Sequence, residues 1–271
     1  MSSVMSDSPA AAAFDQLADG YDTAFTNTNV GRAQRLAVWE CAKAIFKSGS
    51  SLLELNCGTG EDAVHFASEG FQVTSCDVSP AMIAQARTKS RDKPDGERIQ
   101  FHVRSTESIA DLPISLPFAG VFSNFSGLNC VRDLGALATA LERMVLPSSP
   151  LLFCFSTRFC LWETAWYLLH ADRVRAFRRW SGIHETTLCG VTVPVYYRTC
   201  RQICDSFAHG FRLVGIYGIG ITVPPSYVEP WIARHPGLLK RLEKMDAVLR
   251  HTPLARGIGD HVLLHFERLR P

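Results

Sequence analysis

The sequence predicts an α/β protein with a doubly wound, mostly parallel sheet. An apolar strand runs from Leu52 to Leu55 and leads through a glycine-bearing turn into a helix that starts near Glu61. A second strand over 71–76 ends on Asp77, seventeen positions after Gly60, and another helix follows it. Further strands and helices alternate as far as residue 155, and this alternation is typical of a parallel sheet with helices on both faces.

The chain before the first strand is expected to form a short tail and then helices. Residues 1–13 are rich in serine and alanine and are expected to be a disordered tail. Residues 14–46 are expected to be helical, because apolar residues recur near a 3.6-residue period. The expected apolar side is Leu36, Trp39, Ile45 and Phe46, and the expected polar side is Arg32, Arg35 and Lys43.

The central part of the chain supplies the predicted parallel sheet. Its strands are expected at 52–55, 73–76, 99–103, 121–124 and 151–155, with helices at 61–69, 80–90 and 133–146. A ligand of such a sheet binds outside the carboxyl ends of the strands. After residue 156 we expect helical stretches at 159–179, 199–208 and 237–250 and strands at 191–197, 211–221 and 261–267.

Composition excludes several classes of protein. The formal net charge of +2 is too small to indicate a nucleic-acid partner. No apolar run reaches the ~18 residues that span a bilayer, so no membrane partner is expected. The nine cysteines include no Cys-x-x-Cys pair, and the sequence therefore predicts no metal site and reduced thiols in the cytoplasm.

The first turn lacks the features that hold phosphate groups. It has no Gly-Lys-Ser/Thr ending, and Asn56 stands where a dinucleotide site has its first glycine. Three carboxylates, Glu54, Glu61 and Asp62, would repel a pyrophosphate. A ligand with an ammonium or sulfonium group escapes this repulsion. S-adenosylmethionine (SAM) carries both, and its ribose hydroxyls suit a carboxylate such as Asp77 at the tip of the next strand.

Four motifs in order resemble those of the class I SAM-dependent methyltransferases. Residues 53–60 resemble motif I, residues 76–82 resemble motif II, and residues 118–124 resemble motif IV. The segment 14–22, Phe-Asp-x-x-Ala-x-x-Tyr-Asp, resembles the N-terminal signature of members that act on small molecules. The resemblance covers residues 14–156. It departs from the family pattern at Asn56, in place of a glycine, and at Ala119, where an acidic residue is common.

The resemblance implies a seven-stranded sheet that ends in an antiparallel hairpin, with helical lid insertions. It divides the chain into a SAM-binding core over 14–156 and a segment 157–271 that holds the remaining strands and the substrate-covering insertions. It places the leading helices over the cofactor. The cofactor-binding residues it implies are Tyr21, Glu54, Asn56, Gly58, Gly60, Asp77, Met82, Ser105, Thr106 and Asn124.

Residues for the methyl acceptor are less sharply indicated, and no catalytic residue is assigned. Candidates for an aromatic pocket are Phe125, Asn129, Trp162, Trp166 and Tyr197, and each could equally belong to the core. His184 is the candidate general base. The basic cluster Arg173, Arg175, Arg178 and Arg179 is expected to be a solvated helix face, with attraction of an anionic substrate as the alternative.

The sequence thus predicts a methyltransferase that moves a methyl group to an N, O or S atom of a small aromatic or heterocyclic metabolite. We expect a cytoplasmic monomer or homodimer of secondary metabolism. Two alternatives stay open: a SAM-using enzyme that transfers or cyclises the aminocarboxypropyl arm, and a non-catalytic SAM-binding partner subunit. Release of methylthioadenosine instead of S-adenosylhomocysteine would distinguish the first alternative.

Overall fold

A seven-stranded sheet forms the centre of the molecule in a computed structural model that describes residues 8–113 and 117–270. The strands of the chain are β1 (Ser51–Leu55), β2 (Gln72–Asp77), β3 (Ile99–Val103), β4 (Gly120–Ser123), β5 (Pro150–Ser156), β6 (Ile183–Leu188), β7 (Val191–Tyr196), β8 (Phe211–Ile219) and β9 (His261–Arg268). The order in the sheet is β3-β2-β1-β4-β5-β9-β8. Strands β1 to β5 are parallel, and β9 is antiparallel to both β5 and β8.

This topology confirms the predicted fold class, including the antiparallel hairpin that closes the sheet. The strand order reverses between β1 and β4, because the chain first builds outward to β3 and then returns to the other side of β1. Such a reversal opens a crevice at the carboxyl ends of the two strands, and open α/β sheets bind their ligands there.

Helices cover both faces of the sheet. They are α1 (Pro9–Tyr21), α2 (Asn29–Ile45), α3 (Glu61–Ser68), α4 (Pro80–Arg91), α5 (Leu134–Met144), α6 (Leu161–Leu169), α7 (Arg173–Phe177), α8 (Cys200–Phe207), α9 (Glu229–Ile232) and α10 (Pro236–Leu249). Helices α5 and α8 pack on one face around Phe153, Phe207 and Phe266, while α2, α3 and α4 pack on the other around Phe66 and Phe122. Within the described part of the chain, we find no helix of the length and apolar character needed to cross a bilayer.

The expected N-terminal tail is wrong for residues 9–13, which begin α1. The Ser8 hydroxyl accepts a hydrogen bond from the Ala11 N–H at 3.0 Å, and Pro9 occupies the first helical turn, where its missing N–H costs nothing. Ala11 and Ala13 are buried. The alanines that suggested a tail are therefore helix formers, and two of them are buried against the rest of the molecule. Residues 1–7 of the expected tail lie outside the described residues.

The expected apolar side of α2 is also wrong in part. Leu36 is 54% exposed, whereas Arg35 is only 6% exposed. The buried side of the helix includes Val38 and Ala42, and Arg35 can join it because its guanidinium pairs with the buried carboxylate of Asp62. A buried charge is tolerated where a hydrogen-bonded partner compensates it.

Two insertions lie beyond the carboxyl ends of the parallel strands. The first, between β5 and α8, contains α6, α7 and a two-stranded hairpin of β6 and β7. The second, between β8 and β9, contains α9 and α10. The sequence predicts a strand at the position of β7 but makes no prediction for its partner β6. The hairpin lies against α1, so the two elements together roof the crevice.

Candidate active site

A cavity of about 660 Å³ lies at the carboxyl ends of the parallel strands, under α1 and the β6–β7 hairpin. This volume is in the range of about 300–1,000 Å³ typical of small-molecule sites. Eight of the ten cofactor residues expected from the sequence line it: Tyr21, Asn56, Gly58, Asp77, Met82, Ser105, Thr106 and Asn124. The structure thus brings together residues from α1 and from the tips of four strands.

The turn after β1 exposes its backbone to the cavity. Asn56 has a φ of 55° and Gly58 a φ of 53°, both in the left-handed region that asparagine and glycine enter most readily. The Asn56 amide oxygen accepts a hydrogen bond from the Thr106 hydroxyl at 3.2 Å, which fixes the side chain against the tip of β3. The turn therefore stays open to the cavity, although asparagine stands at a position where the family usually has glycine.

Asp77 joins the tips of β1 and β2. One of its carboxylate oxygens accepts the Gly58 N–H at 2.9 Å, and the other accepts the Ser79 N–H at 2.9 Å. Each oxygen keeps a second lone pair, and the side chain lines the cavity. Burial raises the pKa of the carboxyl, while the two backbone N–H groups oppose that rise.

The two remaining expected residues, Glu54 and Gly60, do not line the cavity. The Glu54 side chain is 1% exposed and accepts a hydrogen bond from the Ser75 hydroxyl at 2.6 Å, inside the sheet. Burial, reinforced by Asp62, raises its pKa well above the usual range. A Cβ on Gly60 would lie 2.8 Å from the Ala86 side chain, so this glycine permits α3 and α4 to approach. A direct cofactor contact by Glu54 is therefore not supported.

An arginine–aspartate pair at the crevice was missed in the sequence. Arg35 of α2 and Asp62 of α3 form a buried ion pair, and both line the cavity. Asp62 also accepts hydrogen bonds from the Trp39 indole N–H at 2.6 Å and from the Asn124 amide at 3.2 Å. The Arg35 Nε is buried without an acceptor among the described residues. The one available signal was that Arg35 lies one helical turn before Trp39, on the same side of α2.

Helix α1 is fastened over the crevice by polar contacts. Asp15 accepts the Ala81 N–H at 3.0 Å and the Ser79 hydroxyl, both at the start of α4. Just after α1, Asp22 pairs with Lys89 at 2.8 Å. Tyr21 reaches the cavity from this cover, and burial raises its pKa to about 12.

The other half of the cavity lies below the hairpin and is mostly apolar. Its lining residues are Phe125, Ser126, Gly127, Cys130, Val131, Ser156, Arg178, Thr186, Leu188, Val193, Pro194, Val195 and Tyr197. We call it the hairpin half, and the half around Asp77 the strand-tip half. Of the five expected aromatic-pocket residues, Phe125 and Tyr197 line it.

The other three expected pocket residues stabilise the fold instead. Asn129 is buried, donates to the Tyr196 carbonyl at 2.9 Å and accepts the Ser156 N–H at 2.9 Å. The Trp162 indole donates to the Thr222 carbonyl at 3.0 Å, and Trp166 packs on Tyr227. His184 does not line the cavity, so its role as a general base is not supported.

Two members of the basic cluster are not a solvated helix face. Arg178 donates to both carboxylate oxygens of Glu163 at 2.9 and 2.8 Å. Arg179 is buried and pairs with Glu163 at 2.8 Å and with Asp260 at 2.9 Å. Arg173 and Arg175 are exposed, as expected. The pattern along one helix could not reveal that Glu163 and Asp260 lie opposite these arginines.

The sheet and the crevice at its strand tips define a Rossmann-like α/β protein. Comparison with known proteins then indicates the family. Residues 52–148 match the family model described as a methyltransferase domain. A malonyl-[acyl-carrier protein] O-methyltransferase of Pseudescherichia vulneris is 27% identical over 219 residues, which cover 74% of this chain and 81% of that protein.

Solved methyltransferase structures share the fold. The CcbJ methyltransferase of Streptomyces caelestis superposes with a TM-score of 0.61 at 14% identity, over 95% of this chain and 98% of that one. A putative SAM-dependent methyltransferase of Listeria monocytogenes gives 0.58 at 14% identity, over 87% and 100%. These structures show the shared fold, and together with the methyltransferase domain at residues 52–148 and the O-methyltransferase relative they support a class I SAM-dependent methyltransferase.

Proposed function

We propose that the enzyme transfers the methyl group of SAM to an N, O or S atom of a small aromatic or heterocyclic metabolite held in the hairpin half. The observation that carries the proposal is that a single cavity is lined both by polar and acidic residues of the strand tips and by apolar and aromatic residues near the hairpin. The strand-tip half is polar and acidic, whereas the hairpin half combines apolar side chains with the rings of Phe125 and Tyr197.

The strand-tip half suits the adenosyl part of SAM. In this proposal Asp77 holds the ribose hydroxyls with its free lone pairs, and Gly58 offers open backbone beside it. Met82 packs on the adenine, and Ser105 and Thr106 contact its edge from the tip of β3. These assignments rest on the family resemblance and are supported by the position of each side chain on the cavity wall.

The same half suits the charged end of SAM. Three carboxylates, Glu61, Asp62 and Asp77, line it and favour a ligand with ammonium and sulfonium groups. We propose that Arg35, whose Nε has no acceptor among the described residues, binds the carboxylate of the methionine part. Asn56, Asn124 and Tyr21 complete this end, while Glu54 and Gly60 shape the turn from below.

The chemistry that SAM supplies is a methyl group already activated by a positive sulfur. The protein must therefore hold the acceptor atom about 3–3.5 Å from that methyl and exclude water. None of the described residues lining the cavity is a histidine or a lysine. Burial raises the pKa of the thiol of Cys130 to about 11 and raises that of Tyr197, so both are neutral near pH 7. Positioning, rather than proton removal, is then the main contribution of these residues.

The setting of the reaction is also a proposal. All nine cysteines are free, several of them buried, which favours a reducing compartment such as the cytoplasm. The name of the curated relative, an O-methyltransferase, favours oxygen among the three acceptor atoms.

A methyl-transfer screen tests the proposal. Purified enzyme and methyl-labelled SAM would be incubated with phenols, thiols, N-heterocycles and carboxylic acids, and products identified by mass. We expect a methylated product together with S-adenosylhomocysteine. Release of methylthioadenosine would instead indicate transfer of the aminocarboxypropyl arm. Binding of S-adenosylhomocysteine with no product from any compound would contradict a small-molecule acceptor.

A further inference from the structure

We propose that the methyl acceptor is a carboxylic acid with an apolar or aromatic body, and that Arg178 binds its carboxylate. The product is then a methyl ester. This inference rests on the proposed function, which it narrows from three acceptor atoms to one. Arg178 is the only charged side chain among the described residues that define the hairpin half, and it is 23% exposed.

The geometry of Arg178 leaves one edge of the guanidinium for a ligand. Its Nε and Nη2 donate to Glu163, which holds the planar group in place. Its Nη1 donates to no acceptor among the described residues. The carboxylate of Glu163 also pairs with Arg179, which in turn pairs with Asp260, so two carboxylates hold two arginines and the Arg178 Nη1 is left for a ligand. A preoriented guanidinium of this kind recognises carboxylates through short, charge-assisted hydrogen bonds.

A second donor lies in the same half. The hydroxyl groups of Ser126 and Ser156 are hydrogen-bonded to each other at 2.5 Å, at the tips of β4 and β5. One hydroxyl of the pair donates to the other, so one hydrogen atom is left, and it has no other acceptor among the described residues. Both serines line the cavity. A hydroxyl donor in an otherwise apolar wall suits an anionic oxygen.

The distribution of negative charge favours a single charge on the acceptor. Of the acidic side chains that line the cavity, Glu61, Asp62 and Asp77 belong to the strand-tip half, and Glu107 lies close enough to Cys130 of the hairpin half to help raise the pKa of its thiol. They attract the cationic cofactor but would repel a dianion such as a phosphate monoester. The apolar side chains of the hairpin half, among them Leu188 and Val193, contact the apolar body of the acid in this proposal.

The ionisation of the acceptor decides between oxygen nucleophiles. A carboxylic acid with a pKa of about 4 is almost fully ionised at pH 7, whereas a phenol with a pKa of about 10 is ionised to about 0.1%. A phenol would therefore need a base to remove its proton, whereas a carboxylic acid at pH 7 would need none. In the proposed step a carboxylate oxygen bonds to the methyl carbon, the carbon–sulfur bond breaks, and its electron pair stays on sulfur. No proton moves.

The test compares acids with their neutral counterparts. Benzoate, phenylacetate and octanoate would each be incubated with enzyme and labelled SAM beside the matching amide and alcohol. We expect methyl esters from at least one acid and no product from the amides and alcohols. Methylation of phenols or heterocycles but of none of the acids would overturn this inference and leave the proposed function intact. Failure to bind S-adenosylhomocysteine would instead contradict the proposed function itself.

Charge variants locate the recognition. Arg178→Gln should raise KM for the acid about 10–100-fold, because a charge-assisted pair is lost, and Arg178→Lys should recover part of the loss. Since Arg178→Gln also removes a partner of buried Glu163, Thr186→Asp provides an independent test. It adds a negative charge to the hairpin half and should raise KM about tenfold with unchanged affinity for S-adenosylhomocysteine.

The matched control is Thr187→Asp, which places the same charge on the exposed opposite face of β6. It should leave KM unchanged. Equal effects of Thr186→Asp and Thr187→Asp, or an unchanged KM in both Arg178 variants, would overturn the assignment of Arg178 to the acceptor carboxylate.

Discussion

Replacement of Asp77 by asparagine tests the strand-tip half most directly. The substitution keeps the size of the side chain but replaces one carboxylate oxygen by an NH₂ group. Both oxygens of Asp77 accept backbone N–H groups, from Gly58 and from Ser79. Whichever way the amide turns, one N–H must therefore face another donor, and the negative charge is lost as well.

The magnitude follows from the hydrogen bonds involved. A hydrogen bond to a charged group contributes about 1.5–3 kcal/mol, so loss of the proposed ribose contacts should weaken binding of S-adenosylhomocysteine about 10–150-fold. Separately, the misplaced donor at the Gly58 turn or at Ser79 should lower the free energy of unfolding by about 1–3 kcal/mol. Binding and stability should thus both fall in Asp77→Asn.

Calorimetric titration with S-adenosylhomocysteine and urea denaturation would measure the two effects. The matched control is Asp92→Asn, which removes the same charge from an exposed position at the end of α4. It should change neither quantity. An Asp77→Asn protein that is folded and binds with the wild-type dissociation constant would refute the assignment of Asp77 to the ribose.

Three further predictions concern stability and pH. Gly60→Ala should lower the free energy of unfolding, measured by urea denaturation, by about 2–4 kcal/mol, because Gly60 has a φ of 77° and lies close to α4. The control Gly49→Ala should lower it by only about 1–2 kcal/mol, because Gly49 has a φ of 83° but free space around it. Glu54→Gln should bind S-adenosylhomocysteine within about twofold of wild type in calorimetry, because the side chain lies outside the cavity; a tenfold loss would restore a direct role. Burial lowers the pKa of His261, so the unfolded state takes up a proton first and the free energy of unfolding should fall as the pH drops below about 6.5. Denaturation series across pH should show a smaller fall for His261→Gln, and an unchanged pH dependence would contradict this role of His261.

The parallel half of the fold could be predicted because its signals are local. Each strand from β1 to β5 is a short apolar run bounded by turn residues, and the helices between them carry their own starts, such as Ser79-Pro80 before α4. The strand tips then follow from topology, since parallel strands present their carboxyl ends at one edge. For this reason eight of the ten expected cofactor residues line the cavity, although their distances could not be predicted.

The insertions could not be predicted to the same degree. Strand β6 has little apolar alternation, because two of its three half-buried positions hold polar side chains, His184 and Thr186. Its partner β7 was recognised from valines at 191, 193 and 195. That the hairpin would meet α1 above the crevice depends on packing between segments about 180 residues apart, on which a single sequence is silent.

One physical reason explains why three arginines are less exposed than the sequence predicts. A charged side chain on an amphipathic helix usually faces water, and this rule predicts that Arg35, Arg178 and Arg179 are solvated. Each instead has a carboxylate partner from another element, and such a partner makes burial tolerable while its removal becomes costly. Periodicity along one helix carries no information about that partner.

The same pairs explain how one cavity can serve two ligands of opposite charge. Arg35 with Asp62 borders the strand-tip half, where carboxylates outnumber the arginine and a cationic ligand is favoured. Arg178 with Glu163 borders the hairpin half, where the arginine is the charged group that reaches the cavity among the described residues. Because each guanidinium is held by a carboxylate behind it, neither can turn to neutralise the other half. In the proposed reaction the fixed charges would orient a positive donor toward a negative acceptor, and methyl transfer between them would leave two neutral products that both halves hold less tightly.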